Sequence, residues 1–264
     1  METLTYRKKL LAFIIKLVKK AGKIVVNANT DLSIDEKLNF KDLVTQYDKA
    51  VQDYLENSLS KKYPFVKFLA EEGDDFGKVD LSGELFIIDP IDGTSNFINK
   101  LNASAISVAY AVDGETVVGV VYNPFNKDLF YAIKGFGAFY NGKKTVVNER
   151  SIKEGLVGFG TAVYYDELIE KTKQTFSKVL VNCNDMRRLG GASLDICYVA
   201  TNKFSAFYEC RLAPWDYASA MLILKESGGI ITDFDGNELT FDKKTSVVTG
   251  NQKSYYELKK LLDD

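Results

Sequence analysis

Residues 87–95 read Ile87-Ile88-Asp89-Pro90-Ile91-Asp92-Gly93-Thr94-Ser95. The apolar run 85–88 has the continuous hydrophobicity of a strand buried on both faces. It ends directly in a carboxylate, and a second follows three residues later. Gly-Thr-Ser then leads into a short helix. Pro90 stiffens the turn, so Asp89 and Asp92 can converge on one point. Two converging carboxylates in a chain with no histidine suit a hard cation such as Mg²⁺. Gly93 lets a ligand approach the backbone closely. The N–H groups of Gly93, Thr94 and Ser95 would face outward at a helix N-terminus, which favours phosphate. Asp-x-x-Asp alone is equally what a plain strand–turn–helix with an acidic cap would show. The full string, with cation ligands and an anion cradle in one segment, favours the functional reading.

Three further acidic clusters lie outward from this segment. Glu71-Glu72 follows the apolar run 65–70. If strands 65–70 and 85–88 are neighbours, Glu71 lies beside Asp89; alone the pair would be a solvated acidic loop. Asp216, in Ala213-Pro214-Trp215-Asp216, begins a helix and is also explained as a cap. In Asp42-Leu43-Val44-Thr45-Gln46-Tyr47-Asp48, the plain account makes Asp42 a helix cap and Asp48 a surface residue.

Composition narrows the chemistry. Without histidine, a Ser-His-Asp hydrolase, a phosphohistidine enzyme and an imidazole zinc site are excluded. The 36 acidic residues make oxygen-ligand chemistry available. The formal net charge of −2 offers no basic excess for a nucleic-acid partner. Cys183, Cys197 and Cys210 are odd in number and form no Cys-x-x-Cys pair, so a reducing cytoplasm is the expected compartment. The basic and apolar N-terminus is interrupted by Lys16, Lys19 and Lys20. Its apolar residues fall at helical spacing, so it reads as an amphipathic surface helix and no membrane span is expected.

Periodicity predicts helices over 4–27 and from near residue 44 to before Pro64, with the lysine-rich stretch 37–41 as the loop between them. Strands are predicted over 65–70 and 85–88. Strands 103–112 and 115–122 flank an Asp113-Gly114 hairpin turn, and 129–133 follows. Asn141-Gly142 and Asp235-Gly236 mark further turns. The second half alternates: strands at 156–161, 204–209, 230–233 and 246–249, and helices at 166–178, 192–201, 214–227 and 255–262. No repeat or linker is evident. One domain over 1–264 is expected, with a soft boundary near 145–155.

The set of motifs resembles the inositol monophosphatase family of lithium-sensitive, metal-dependent phosphatases. The match runs from about 37 to 250 and rests on Asp42-Leu-Val-Thr-x-x-Asp48, Glu71-Glu72, Asp89-Pro-Ile-Asp-Gly-Thr94-Ser-Asn-Phe97, Trp215-Asp216 and Gly228-Gly229. The resemblance implies an α-β-α-β-α sandwich with two mixed sheets, commonly homodimeric. It implies that Glu71, Asp89 and the carbonyl of Ile91 bind a first Mg²⁺, and that Asp89, Asp92 and Asp216 bind a second. A third, weaker ion would touch Glu71. Asp48 and Thr94 would orient and deprotonate the attacking water. Gly93, Thr94 and Ser95 would hold phosphate, and Lys37 would sit on a mobile loop near the metals. Gly191, Ala192 and Glu209 would meet the substrate's hydroxyl groups.

The expected activity is therefore hydrolysis of a small phosphate monoester, an inositol or sugar monophosphate first. Histidinol phosphate, fructose 1,6-bisphosphate and 3′-phosphonucleotides are alternatives within the family. A non-catalytic binding protein of the same fold is the alternative outside it, because a fold by itself does not fix a function. Segment 157–161 matches the family pattern only loosely, so Thr161 receives no role.

Overall fold

The structure is a computed structural model that describes residues 3–28, 33–37, 39–73 and 76–263. Helix α1 (Leu4–Val26) starts at Thr3, whose hydroxyl accepts from the Tyr6 N–H at 3.3 Å. Its stripe of Leu10, Ile14, Leu17, Val18 and Ala21 is buried. A short hairpin of β1 (Ile34–Glu36) and β2 (Leu43–Thr45) follows, then α2 (Gln46–Ser60), β3 (Lys67–Ala70), β4 (Glu84–Asp92) and the single-turn α3 (Thr94–Ile98). Strands β5 (Ala105–Val112), β6 (Glu115–Asn123), β7 (Asp128–Ile133), β8 (Gly137–Tyr140) and β9 (Lys143–Thr145) form a meander. The remainder is β10 (Leu156–Phe159), α4 (Ile169–Leu180), β11 (Asp185–Arg187), α5 (Ala192–Ala200), β12 (Ala206–Leu212), α6 (Pro214–Glu226), β13 (Ile230–Thr232), β14 (Thr245–Gly250) and α7 (Gln252–Asp263).

The larger sheet runs β3-β4-β5-β6-β7-β8-β9, parallel only between β3 and β4. The smaller runs β11-β10-β12-β14-β13 and is mixed. Three apolar clusters glue the layers. Helices α1 and α2 cover one face of the large sheet through residues such as Ile14, Leu55, Phe86 and Val118. Helices α5 and α6 lie between the sheets, where Ile196 and Ile223 meet Val121 and Phe130 on one side and Phe207 and Val247 on the other. Helices α4 and α7 close the outer face of the small sheet through Val179 and Leu258. The architecture is the expected α-β-α-β-α sandwich. Helices α5 and α6 are apolar nearly all round, as a layer buried on both sides requires.

Several sequence expectations change. The strand expected to end at residue 88 continues through Asp89-Pro90-Ile91 to Asp92. Its pairing with β5 shifts between Asp89↔Ser107 and Asp92↔Ala105, so three steps on β4 oppose two on β5. Pro90 has no N–H to give the ladder and is tolerated at such a bulge. A bulge re-aims side chains beside it, so the backbone between Asp89 and Asp92 follows a bulge rather than the expected turn. Lys37 and residues 39–41 of the expected loop lie at the tip of the β1–β2 hairpin, with Lys37 N–H donating to the Asp42 carbonyl at 2.8 Å; residue 38 lies outside the described residues. The strand expected at 204–209 is displaced to β12 (Ala206–Leu212). Strands β1, β2, β8, β9 and β11 were not anticipated; each has three or four residues, too few to show a period.

Candidate active site

The acidic segments meet where strands of the large sheet end. Strand β3 lies parallel to β4, with Ala70 opposite Ile88, and the Glu71 N–H donates to the Ile88 carbonyl at 3.1 Å. Glu71 is thereby set beside Asp89. A cavity of about 800 Å³ opens there, lined by Glu71, Asp89, Ile91, Asp92 and Asp216 among others. Gly93, Thr94, Ser95, Gly191, Ala192, Glu209 and Lys37 also face it.

Each carboxylate is held by a local device. Asp216 occupies the first turn of α6 and accepts from the Ala213 N–H at 2.7 Å, so the capping account and the cavity position coexist. Asp92 accepts from the Ala192 N–H at 3.1 Å and the Ser193 N–H at 2.8 Å, with the Ser193 hydroxyl also on it. It therefore closes the N-terminus of α5 from another element. Asp89 is 1% exposed, and its Oδ1 has no hydrogen-bond partner. Burial, then Glu71, Asp92 and Asp216, hold its carboxyl well above the usual range. Burial, Glu71 and Asp92 do the same to Asp216. Asp92 is pushed up to about 6, chiefly by burial, against the hydrogen bonds from Ser193. These are the signs of carboxylates crowded together in a site of low polarity.

Asp48 is fully buried, in contrast to the surface position that the plain reading gave it. Thr45, not Asp42, caps α2, and Asp48 returns the contact by accepting from the Thr45 N–H (2.8 Å) and hydroxyl (2.6 Å). This is a capping box with aspartate in the glutamate position. The other carboxylate oxygen, Oδ1, accepts from the Thr94 hydroxyl at 3.0 Å. Asp48 thus lies behind Thr94, which faces the cavity. Gly93, the residue before α3, has φ +87°, and a Cβ there would sit 3.0 Å from the Gly190 carbonyl, so only glycine fits. Helix α3 then leaves its first N–H groups without partners inside the helix.

The ammonium of Lys37 is 2.8 Å from Glu71 and 2.6 Å from Glu72. Burial works to lower its pKa, but the two carboxylates outweigh burial and hold it raised. Burial and Glu71 push Glu72 up to about 7 in spite of Lys37. Glu209 accepts from the Ala162 N–H at 3.0 Å and is pushed up to about 7, mainly by burial.

Sequence reasoning missed several cavity residues. Gly160 leaves room for the Glu209 carboxylate, whose Oε2 would lie 1.9 Å from a Cβ there. Arg188 reaches the Thr161 hydroxyl through Nε at 3.1 Å and supplies positive charge at the rim; its signal was the only adjacent arginine pair in the chain. Asp195 is 1% exposed with Oδ1 unpartnered, and its signal was a lone charge in the otherwise uncharged α5. Ala192, expected to meet substrate, gives its N–H to Asp92.

A layered α/β sandwich with this acid cluster at its strand ends defines a class, the metal-dependent phosphatases. The chain belongs to the inositol monophosphatase family, whose model matches residues 7–263. A Thermotoga maritima protein named fructose-1,6-bisphosphatase/inositol-1-monophosphatase is 38% identical over 232 residues, with 86% of each chain covered. The Escherichia coli K12 protein named Nus factor SuhB is 32% identical over 250 residues, covering 92% of each. The crystal structure of extragenic suppressor protein suhB from Bartonella henselae matches with a TM-score of 0.89 and 30% identity, covering 97% of this chain and 99% of that one. Among the described residues, no helix is long and apolar enough to cross a membrane.

The donor set fits a hard divalent cation in chemistry: all oxygen and acidic, with Asp89 and Asp92 buried and one carboxylate oxygen of Asp89 unpartnered. As the side chains stand, no three acidic or cysteine groups among the described residues converge on one ion position. Lys37 instead holds the oxygens of Glu71 and Glu72. Its ammonium supplies positive charge of the kind a divalent ion would bring, and would have to yield Glu71 to such an ion.

Proposed function

We propose that the chain is a Mg²⁺-dependent phosphomonoesterase acting on a small polyol or sugar monophosphate, with inositol monophosphate the leading substrate. The observation that carries this reading is the meeting of Glu71, Asp89, Asp92 and Asp216 at one cavity beside the Thr94–Asp48 hydrogen bond. Glu71, Asp89, the Ile91 carbonyl, Asp92 and Asp216 are the groups that would hold Mg²⁺, two to three ions in all. Bound there, the metal would neutralise phosphate charge and make water a better nucleophile.

The chain's own groups then have defined tasks. The Thr94 hydroxyl hands its proton to Asp48 Oδ1 as it takes one from the attacking water. Asp48 is suited to this because the Thr45 bonds fix its carboxylate, while burial and Glu71 raise its basicity. The free N–H groups at the start of α3, with Gly93 beneath them, bind phosphate oxygens. Glu209, turned into the cavity opposite Arg188, accepts from substrate hydroxyls and so favours a polyol. No covalent nucleophile is required, since positioning and charge carry phosphoryl transfer.

The relative named Nus factor SuhB supports a second reading, in which this fold serves as a binding factor. The complete set of Asp48, Glu71, Asp89, Asp92, Thr94 and Asp216 favours catalysis. Comparing kcat/KM across inositol 1-phosphate, fructose 1,6-bisphosphate, histidinol phosphate and 3′-phosphoadenosine 5′-phosphate tests both. Inositol 1-phosphate is expected to lead. No Mg²⁺-dependent phosphate release from any of them would leave the binding reading standing.

A further inference from the structure

A second cleft lies on the opposite face of the large sheet from α5 and α6, between the C-terminal half of α1 and the β6–β7 turn. It shares no lining residue with the acidic cavity. Its volume is about 730 Å³, a size common for small-molecule sites. Lys19, Lys23 and Lys127 line it, and no carboxylate does. None of these lysines has an ion-pair partner among the described residues. Lys19 and Lys23 are one helical turn apart, where like charges repel. The whole of α1 carries Arg7 and six lysines with no acidic residue, within a chain whose formal charge is −2.

The cleft is built rather than incidental. A Cβ on Gly22 would meet Pro124 Cβ at 2.8 Å and Tyr122 Cε1 at 2.9 Å, so glycine lets α1 lie close against the turn. Asn123, fully buried, fixes that turn by accepting from the Phe125 N–H at 2.9 Å and the Asn126 N–H at 3.2 Å. Lys127 is held there in the left-handed region, φ 59°. Tyr122 is only 9% exposed and lines the cleft, yet its hydroxyl has no hydrogen-bond partner among the described residues. The hydroxyl itself is open to the cleft rather than enclosed, so it is free to donate to an acceptor bound there.

We propose that this cleft binds a small soluble organic phosphate, its phosphoryl group among Lys19, Lys23, Lys127 and the Tyr122 hydroxyl, its apolar body against Pro124, Leu129 and Tyr131. The apolar wall selects an organic phosphate over the free ion, and the concave shape selects a soluble ligand over a lipid surface.

Phenylphosphonate, which has no ester bond to hydrolyse, is the probe. Titrated into the full-length ¹⁵N-labelled protein with Mg²⁺ present, it is expected to shift the amide resonances of Gly22, Tyr122, Lys127 and Gly142. Those shifts form a set separate from any at Gly93, Thr94 and Gly191. In Lys23→Glu/Lys127→Glu the cleft set should weaken by at least about tenfold in affinity, the scale of losing a charge-assisted contact, while the active-site set and turnover stay as in the parent. Shifts confined to the active-site residues, or a cleft set unchanged in the variant, would overturn the proposal. Co-sedimentation with phosphatidylglycerol vesicles that depends on the same lysines would overturn it in favour of a lipid headgroup. Inorganic phosphate producing the cleft shifts at the same affinity would remove the role of the apolar wall.

Discussion

At the scale of single residues, the account turns on which carboxylates must be charged together. Among the proposed metal ligands, Asp89 is 1% exposed and has an oxygen with no protein partner. Asp89→Asn is expected to cut Mg²⁺-dependent turnover by at least about 10²–10³-fold, the usual loss for one preorganised electrostatic group. Its circular dichroism and melting should show a folded protein. Thr94→Val removes the hydroxyl between the cavity and Asp48; kcat should fall roughly 10²–10⁴-fold, with Mg²⁺ affinity by calorimetry little changed. Glu209 makes a pH prediction. Its carboxyl is raised from 4.5 to about 7 in the folded state, so the folded chain holds the proton more tightly than the unfolded one. Its stabilising contribution is complete below pH 4.5 and is lost as pH rises toward 7. Urea unfolding across that window should show stability falling with pH, and Glu209→Gln should flatten the slope; an unchanged slope would remove Glu209 from the explanation.

At the scale of elements, the site depends on how closely α6 lies on β6. Gly119 has the Ser219 carbonyl oxygen 2.6 Å from where a Cβ would stand, and that neighbour is backbone. Gly119→Ala must push α6 away and carry Asp216 with it. A loss of about 1–3 kcal/mol in urea unfolding is expected from such overpacking, together with lower turnover. Much at this scale was legible in the sequence. The continuous run 85–88, the Asp113-Gly114 turn and the Pro214 start of α6 announce their elements through local chemistry. What escaped was non-local. The bulge between Asp89 and Asp92 depends on how β5 pairs, which no pattern within residues 87–95 encodes. The burial of Asp48 follows from Thr94 being brought onto α2 across 46 positions, whereas its capping spacing alone suits a surface residue just as well.

At the scale of the molecule, charge is unevenly distributed. Helix α1 is basic throughout, while the cavity gathers Glu71, Asp89, Asp92, Asp195, Glu209 and Asp216. Crowding these carboxylates opposes folding, and a divalent ion that binds only the folded chain relieves it. Mg²⁺ at 100 times its Kd should add about 2.7 kcal/mol to stability, with the gain absent in Asp89→Asn. The family resemblance supplied the architecture at once, because its motifs are spread over most of the chain. Residues outside those motifs, such as Arg188 and Gly160, became visible only when the chain was folded. The most direct test is anomalous diffraction from crystals equilibrated with Mn²⁺ as a probe for the divalent site. Anomalous peaks among Glu71, Asp89, Asp92 and Asp216, with Lys37 withdrawn from Glu71, are the predicted result. A cavity without such peaks, with Lys37 still bound to Glu71 and Glu72, would contradict the account.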